Sequence, residues 1–180
     1  MSTAASPSTP TTSPSSKGGF LYRIDNEIEL ALPPVDVYDF VTTPALWSLW
    51  HPATVAVFDT PERPLLYGET AFETIRVGRQ RINAEWMVIA CEVGQLWSIA
   101  TDTPLGEARI TYRFARSDRG CRFVRTLSYR SRHAPQRWFD NTLVRWRLKR
   151  QSAQALRNLK QVLEGPMGPM GQTAPMHSQQ

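Results

Sequence analysis

Between Gly68 and Arg130, five strand-length segments follow one another with only short breaks between them: 68–77, 80–91, 95–102, 107–115 and 121–130. The breaks carry turn chemistry: Gly78-Arg79, Val93-Gly94, Thr103-Pro104-Leu105-Gly106 and Ser117-Asp118-Arg119-Gly120. Connections this short join antiparallel neighbours, because a parallel crossover needs a dozen or more residues. The side-chain period of a strand is two, so each tight reversal also decides which residues share a face. Centring two reversals on Pro104-Leu105 and Asp118-Arg119 sets Trp97 against Tyr112, Ile99 against Ile110, and Thr101 against Ala108. It also sets Phe114 against Phe123, Tyr112 against Arg125, Ile110 against Leu127, and Ala108 against Tyr129. The Gly78-Arg79 turn brings Ile75 to Ile82 and Glu73 to Ala84, and a turn centred on Val93-Gly94 adds Ala90, Val88 and Trp86. All these residues fall on one apolar, aromatic face, while the other face is mostly Arg, Ser, Thr and Glu. The first face must be buried.

The remainder of the chain supplies the cover. From Phe20 to Leu32, Tyr22, Ile24, Ile28 and Leu30 alternate with Arg23, Asp25, Glu27 and Glu29, the pattern of a half-buried strand that Pro33-Pro34 ends. PVDVYDFVTT reads as a short helix entered through proline, and Pro44 opens a second, ALWSLWHP, that Pro52 stops. Ala53 to Thr60 is a further strand. Pro135 to Glu164 has helical spacing, with an apolar stripe of Phe139, Leu143, Trp146, Ala153, Leu156, Leu159 and Leu163. The order is strand, two short helices, six strands and a long helix, which is an α+β arrangement with a seven-stranded antiparallel sheet. The terminal helix is the only element long enough to cover the sheet's concave face.

The 180 residues, 41% of them hydrophobic, suffice for one domain. Residues 1–19 and 165–180 are Ser/Thr/Pro- and Gly/Pro-punctuated and bury little, so they are expected as loose tails around a folded unit at 20–164. No apolar run reaches membrane-spanning length, and the start of the chain has Ser, Thr and Pro where a signal peptide needs an apolar stretch; the expected location is cytoplasmic. Cys91 and Cys121 are too few for a disulfide framework and too far apart for CxxC, and read as reduced strand residues. Net charge is +5, unevenly placed: Arg130 to Lys160 holds nine Lys/Arg and one acid. That segment is either a solvated helix face or a surface for an anionic membrane; no nucleic-acid motif accompanies it.

Two polar residues break the apolar face, Arg125 and Glu73. An unpaired charge inside a core costs several kcal/mol, so Arg125 has a partner, reaches solvent, or anchors a polar group in a cavity. Trp47 and Trp50 share a face of the second short helix and either plug one end of the core or line an entrance. His51 follows them and is a weak proton-transfer candidate, as is Glu73. Trp138 and Trp146 are expected to pack on the sheet, or to roof the cavity if it is large. There is no metal-ligand spacing, no Gly-rich phosphate loop and no other cofactor signature.

The segments PPVDVYDFVTTPALWSLWHP and ALRNLKQVLEG, flanking a meander of strands, resemble the START-like (SRPBCC) superfamily: polyketide cyclases/dehydrases, lipid-transfer domains and birch-pollen-allergen-like proteins. The resemblance spans about 20–164. It implies a helix-grip fold, a curved antiparallel sheet around the C-terminal helix with a deep cavity for an apolar ligand, and the second short helix at its mouth. Three functions remain open. The first is binding or transport of a hydrophobic or amphipathic small molecule or lipid, walled by Trp47, Trp50, Trp86, Trp97, Tyr112, Leu127, Tyr129, Trp138 and Trp146 and oriented by Arg125. The second is a cyclase/dehydrase-like enzyme, in which Arg125 and Tyr112 polarise a carbonyl while His51 or Glu73 moves protons. The third is a membrane-surface or protein-interaction module using the basic segment.

Overall fold

The computed structural model describes residues 22–131 and 138–166, with the side chains of 131 and 138–145 excepted. Residues 1–21 and 167–180, where both tails are expected, lie outside the described residues. Strand β1 (Tyr22–Leu30) leads through Pro33 into α1 (Pro34–Thr42), which starts on proline and has Asp36 in its first turn. A single 3₁₀ turn (Pro44–Leu46) continues into α2 (Trp47–Trp50). Then come β2 (Thr54–Phe58), β3 (Thr70–Val77), β4 (Gln80–Glu92), β5 (Leu96–Thr103), β6 (Gly106–Ser117) and β7 (Gly120–Ser131), and finally α3 (Trp138–Glu164).

The seven strands form one antiparallel sheet in the order β1-β7-β6-β5-β4-β3-β2. The first strand closes onto the last because Ile24, Ile28 and Leu30 complete the apolar face of β7, opposite Leu127, Phe123 and Cys121. The hairpin registers are those the turns dictate: Trp97 opposes Tyr112, Tyr112 opposes Arg125, and Glu73 opposes Ala84.

The β4–β5 hairpin differs. Its turn takes one more residue, so Glu92 opposes Leu96 and Cys91, not Ala90, opposes Trp97. A bulge between Val88 and Ala90 restores the pairing, leaving Val88 opposite Ile99. Trp86 and Val88 therefore face inward as expected, while Ala90 leaves that face to Cys91, whose sulfur meets the Tyr38 hydroxyl at 3.0 Å. A second irregularity, at Val55, pairs Thr54 with Ile75 and Ala56 with Thr74. It turns Thr54 onto the inner face. Both cysteines are free and lie in strands.

Helix α3 grips the sheet through Ala155, Leu156, Leu159 and Leu163, all buried. Polar ties fix its end: Glu164 Oε1 accepts from the Ala31 amide at 2.8 Å, Lys160 Nζ donates to Glu29 O at 2.8 Å, and Asn158 Nδ2 donates to Trp50 O at 3.2 Å. The buried residues cluster about 120° around the helix from Trp146, at 100° per residue. Trp146 accordingly points outward, 54% exposed, with the Arg150 guanidinium 5.4 Å from its ring centre. It does not pack on the sheet. Leu156, Leu159 and Leu163 of the expected stripe are buried, but Trp146 is not, and Ser152, a polar residue, takes a place on the buried face.

Gly120 opens β7 at φ +128°, where a Cβ would lie 2.6 Å from Leu30 O and 2.8 Å from Leu32 N. Those atoms are backbone and cannot swing aside. Gly120→Ala is expected to cost about 2 kcal/mol, from dihedral strain and overlap together, read as a lowered urea midpoint with an unchanged m-value.

Candidate functional site

The inner face of the sheet is not evenly filled. Under α2 and the last turns of α3 it is closed: Trp47, Trp50, Trp86, Trp97, Tyr112, Phe114 and Phe123 are all buried. Trp97 stacks on Tyr112 (5.5 Å, 21°), Tyr112 meets Phe123 edge-on at 5.3 Å, and Trp47 meets Trp97 edge-on at 6.2 Å. Trp97 Nε1 and Trp47 Nε1 donate to Leu65 O and Val41 O. Further along the same face the apolar side chains are only half-buried: Ile75, Ile82, Ala108, Leu127 and Tyr129. Tyr129 stacks against Tyr22 there at 4.9 Å.

Arg125 sits at the boundary between these two regions. It is 2% exposed. Nη1 donates to Ser152 Oγ at 2.8 Å and Nη2 lies 3.2 Å from His51 Nε2. Nε has no partner. No carboxylate of the described residues forms an ion pair with it. Two neighbours are also incompletely satisfied: Asn26 Oδ1, on the strand residue directly opposite Arg125, and Trp50 Nε1, whose ring lies against His51 and Tyr112. Two buried donors and one acceptor in this neighbourhood thus lack protein partners. Buried polar groups of this kind are ordinarily met by water or by a ligand.

The geometry decides the state of His51. A guanidinium has donors only, so His51 Nε2 accepts and its proton is on Nδ1. Withdrawal from solvent, and then the Arg125 charge, hold the imidazole well below its usual 6.5. With Nε2 engaged by Arg125, the ring has no unoccupied acceptor nitrogen. Between the depressed folded value and 6.5, only the unfolded chain takes up the proton, so stability falls as pH drops below 6.5. Relative to His51→Gln, the native protein is expected to lose about 1 kcal/mol between pH 7.5 and 5.5, measured by urea unfolding of both proteins at both pH values. Equal losses would show that the ring is protonated in the folded state.

Glu73, 6% exposed, accepts from Thr54 Oγ1 and, at 2.7 Å, from Trp86 Nε1. Burial raises its carboxyl above the usual value, opposed by those two hydrogen bonds and by the Arg125 charge. Burial likewise raises the Tyr112 phenol, against the pull of Arg125.

Arg125, His51 and Tyr112 are therefore brought together, with Glu73 within electrostatic reach; Trp47, Trp86 and Trp97 form packed floor; Leu127 and Tyr129 lie along the half-covered stretch; Trp146 is on the outside; and the side chain of Trp138 lies outside the described residues. Ser152 and Asn26 escape the reading of the sequence. Asn26 carries a signal: it occupies the inward register of β1 between Ile24 and Ile28. Ser152 carries one too, four residues before Leu156 on the buried helix face.

A separate surface cleft of about 740 Å³ lies among Asp36, Asp39, Phe40, Leu46, Glu62 and Arg63. It holds none of the residues selected from the sequence, and its three acids suit an apolar guest poorly.

Residues 22–164 match a family model described as polyketide cyclase / dehydrase and lipid transport. The chain belongs to this family. Solved structures agree on the fold. TTHA0849 from Thermus thermophilus matches with a TM-score of 0.64 at 12% identity, over 78% of this chain and 95% of that one. BH1534 from Bacillus halodurans gives 0.59 at 18%, over 80% and 98%. Ara h 8.0201 gives 0.57 at 11%, over 77% and 95%. At such identities the likeness concerns the fold. No curated protein matches the chain. No helix of the described residues is long and apolar enough to cross a membrane.

Proposed function

We propose that the chain binds an amphipathic small molecule, with its apolar body along Leu127, Tyr129, Ile75 and Ile82 and its anionic or carbonyl end on Arg125. The observation that carries this reading is a fully buried guanidinium with an unused Nε–H and no carboxylate partner among the described residues. Such a cation is costly to keep unless it receives an anion. The family description, with its lipid-transport members, supports a hydrophobic guest in general terms. A matched pair of probes tests the polar end: dodecanoic acid and dodecanol share the chain and differ in the head. The acid is expected to bind at least tenfold tighter in a fluorescence competition assay, since a charge-assisted hydrogen bond contributes about 1.5–3 kcal/mol. Equal affinities would remove Arg125 from the site.

The buried Glu73 favours a second reading, a cyclase- or dehydrase-type catalyst. Arg125 then polarises a carbonyl, and the Glu73 carboxyl, whose hold on its proton burial strengthens, transfers the proton. In that case Glu73→Gln, which preserves shape and hydrogen bonding to Thr54, is expected to abolish turnover of an aromatic polyketide while leaving its binding within threefold. Loss of binding without a selective loss of turnover would return Glu73 to a structural role.

A further inference from the structure

The outer surface near the half-covered end of the sheet has a charge arrangement that the interior site does not use. In the β3–β4 hairpin, Arg76 and Arg81 are directly opposed across the strands, both exposed, and Arg79 is exposed in the turn between them. Like charges in that position repel each other and weaken a hairpin. Helix α3 adds to the cluster. The Arg147 guanidinium ends at the turn, 3.5 Å from where a Cβ on Gly78 would be, and the outward Trp146 and Arg150 lie beside it on the same helix. None of these five arginines has an ion-pair partner among the described residues.

We infer that this hairpin and helix face together dock onto an anionic phospholipid surface. Three features select that partner. Arg76, Arg79 and Arg81 of the hairpin gather with Arg147, which reaches the Gly78 turn, and a negatively charged surface relieves the Arg76–Arg81 repulsion directly. Exposed Trp146, next to Arg147 on the helix, suits the headgroup layer, where an indole keeps an apolar body and a polar edge both satisfied. Arg150 occupies one face of that ring, which leaves a poor platform for stacking a nucleic-acid base. The surface lies outside the interior site and does not depend on what that site binds.

The test uses the full chain and vesicles of phosphatidylcholine alone or with about 30% phosphatidylserine at about 0.1 M salt, where the Debye length is about 10 Å. Co-flotation with the anionic vesicles is expected at least tenfold above the neutral ones, and is lost at about 0.5 M salt. Arg76→Glu/Arg81→Glu is expected to lower it at least tenfold, at about 1 kcal/mol for each basic residue near the surface, with the circular dichroism spectrum unchanged. Trp146→Ser is expected to lower it several-fold and to remove quenching by brominated phosphatidylcholine placed in the anionic vesicles. Equal flotation with both lipid mixtures, or an unaffected double charge reversal, overturns the inference. So does tight binding of a single-stranded oligonucleotide without any vesicle association.

Discussion

Arg125→Met is expected to weaken binding of a long-chain carboxylate about 30- to 150-fold while leaving the fold intact, because one charge-assisted hydrogen bond of about 2–3 kcal/mol is lost. Two effects compete in the stability term. Losing the guanidinium removes the bonds to Ser152 and His51. It also removes a desolvated cation with no carboxylate partner among the described residues, and replacing buried ionic groups by well-packed apolar ones is often neutral or stabilising by about 1–4 kcal/mol. Ser152 sits within a helix and can turn its hydroxyl to the carbonyl four residues earlier, and His51 is only half-buried. The second effect wins, so the urea midpoint is expected to stay level or to rise. Arg125→Lys keeps the charge but not the fork, and should bind with intermediate affinity. A variant that loses more than about 3 kcal/mol of stability while binding normally would make Arg125 a structural residue.

Trp97→Ala gives the largest expected loss of stability, about 4 kcal/mol in urea unfolding. Trp97 is fully buried at the centre of the closed region, stacked on Tyr112, edge-on to Trp47, and hydrogen-bonded to Leu65 O. Its removal opens a cavity beneath an aromatic ring and leaves a buried carbonyl without its donor. Against a total of about 5–15 kcal/mol for a domain, this leaves a marginal fold. Trp97→Phe keeps most of the area and loses the hydrogen bond, so it should cost about 1–2 kcal/mol. Trp146→Ala, also removing an indole, should change stability by less than about 0.5 kcal/mol, because that ring is in solvent. The contrast between the two tryptophans measures burial rather than residue type.

The differences between expectation and structure share a cause. Turn spacing predicts hairpin register because a two-residue reversal leaves one way to pair, and those pairs stand in β3–β4, β5–β6 and β6–β7. It fails at β4–β5, where an extra residue in the turn and a bulge offset each other and Cys91 is as acceptable inside as Ala90. The helix phase fails at Trp146, since hydropathy ranks tryptophan above serine while Ser152 is satisfied inside by Arg125. Arg125 itself is legible as an exception on an apolar face, but what it meets is not.

The chain's alternation and turn residues alone determined the order of elements, the antiparallel sheet, and the face to which Tyr112, Arg125 and Glu73 belong, because period and turn geometry act over a few neighbouring residues. Only the tertiary structure decided that Arg125 meets His51, 74 residues away, and Ser152, 27 away, and that no carboxylate of the described residues pairs with it. Contacts of that separation arise when whole elements pack, and packing responds to the shape of every side chain between them rather than to any local pattern.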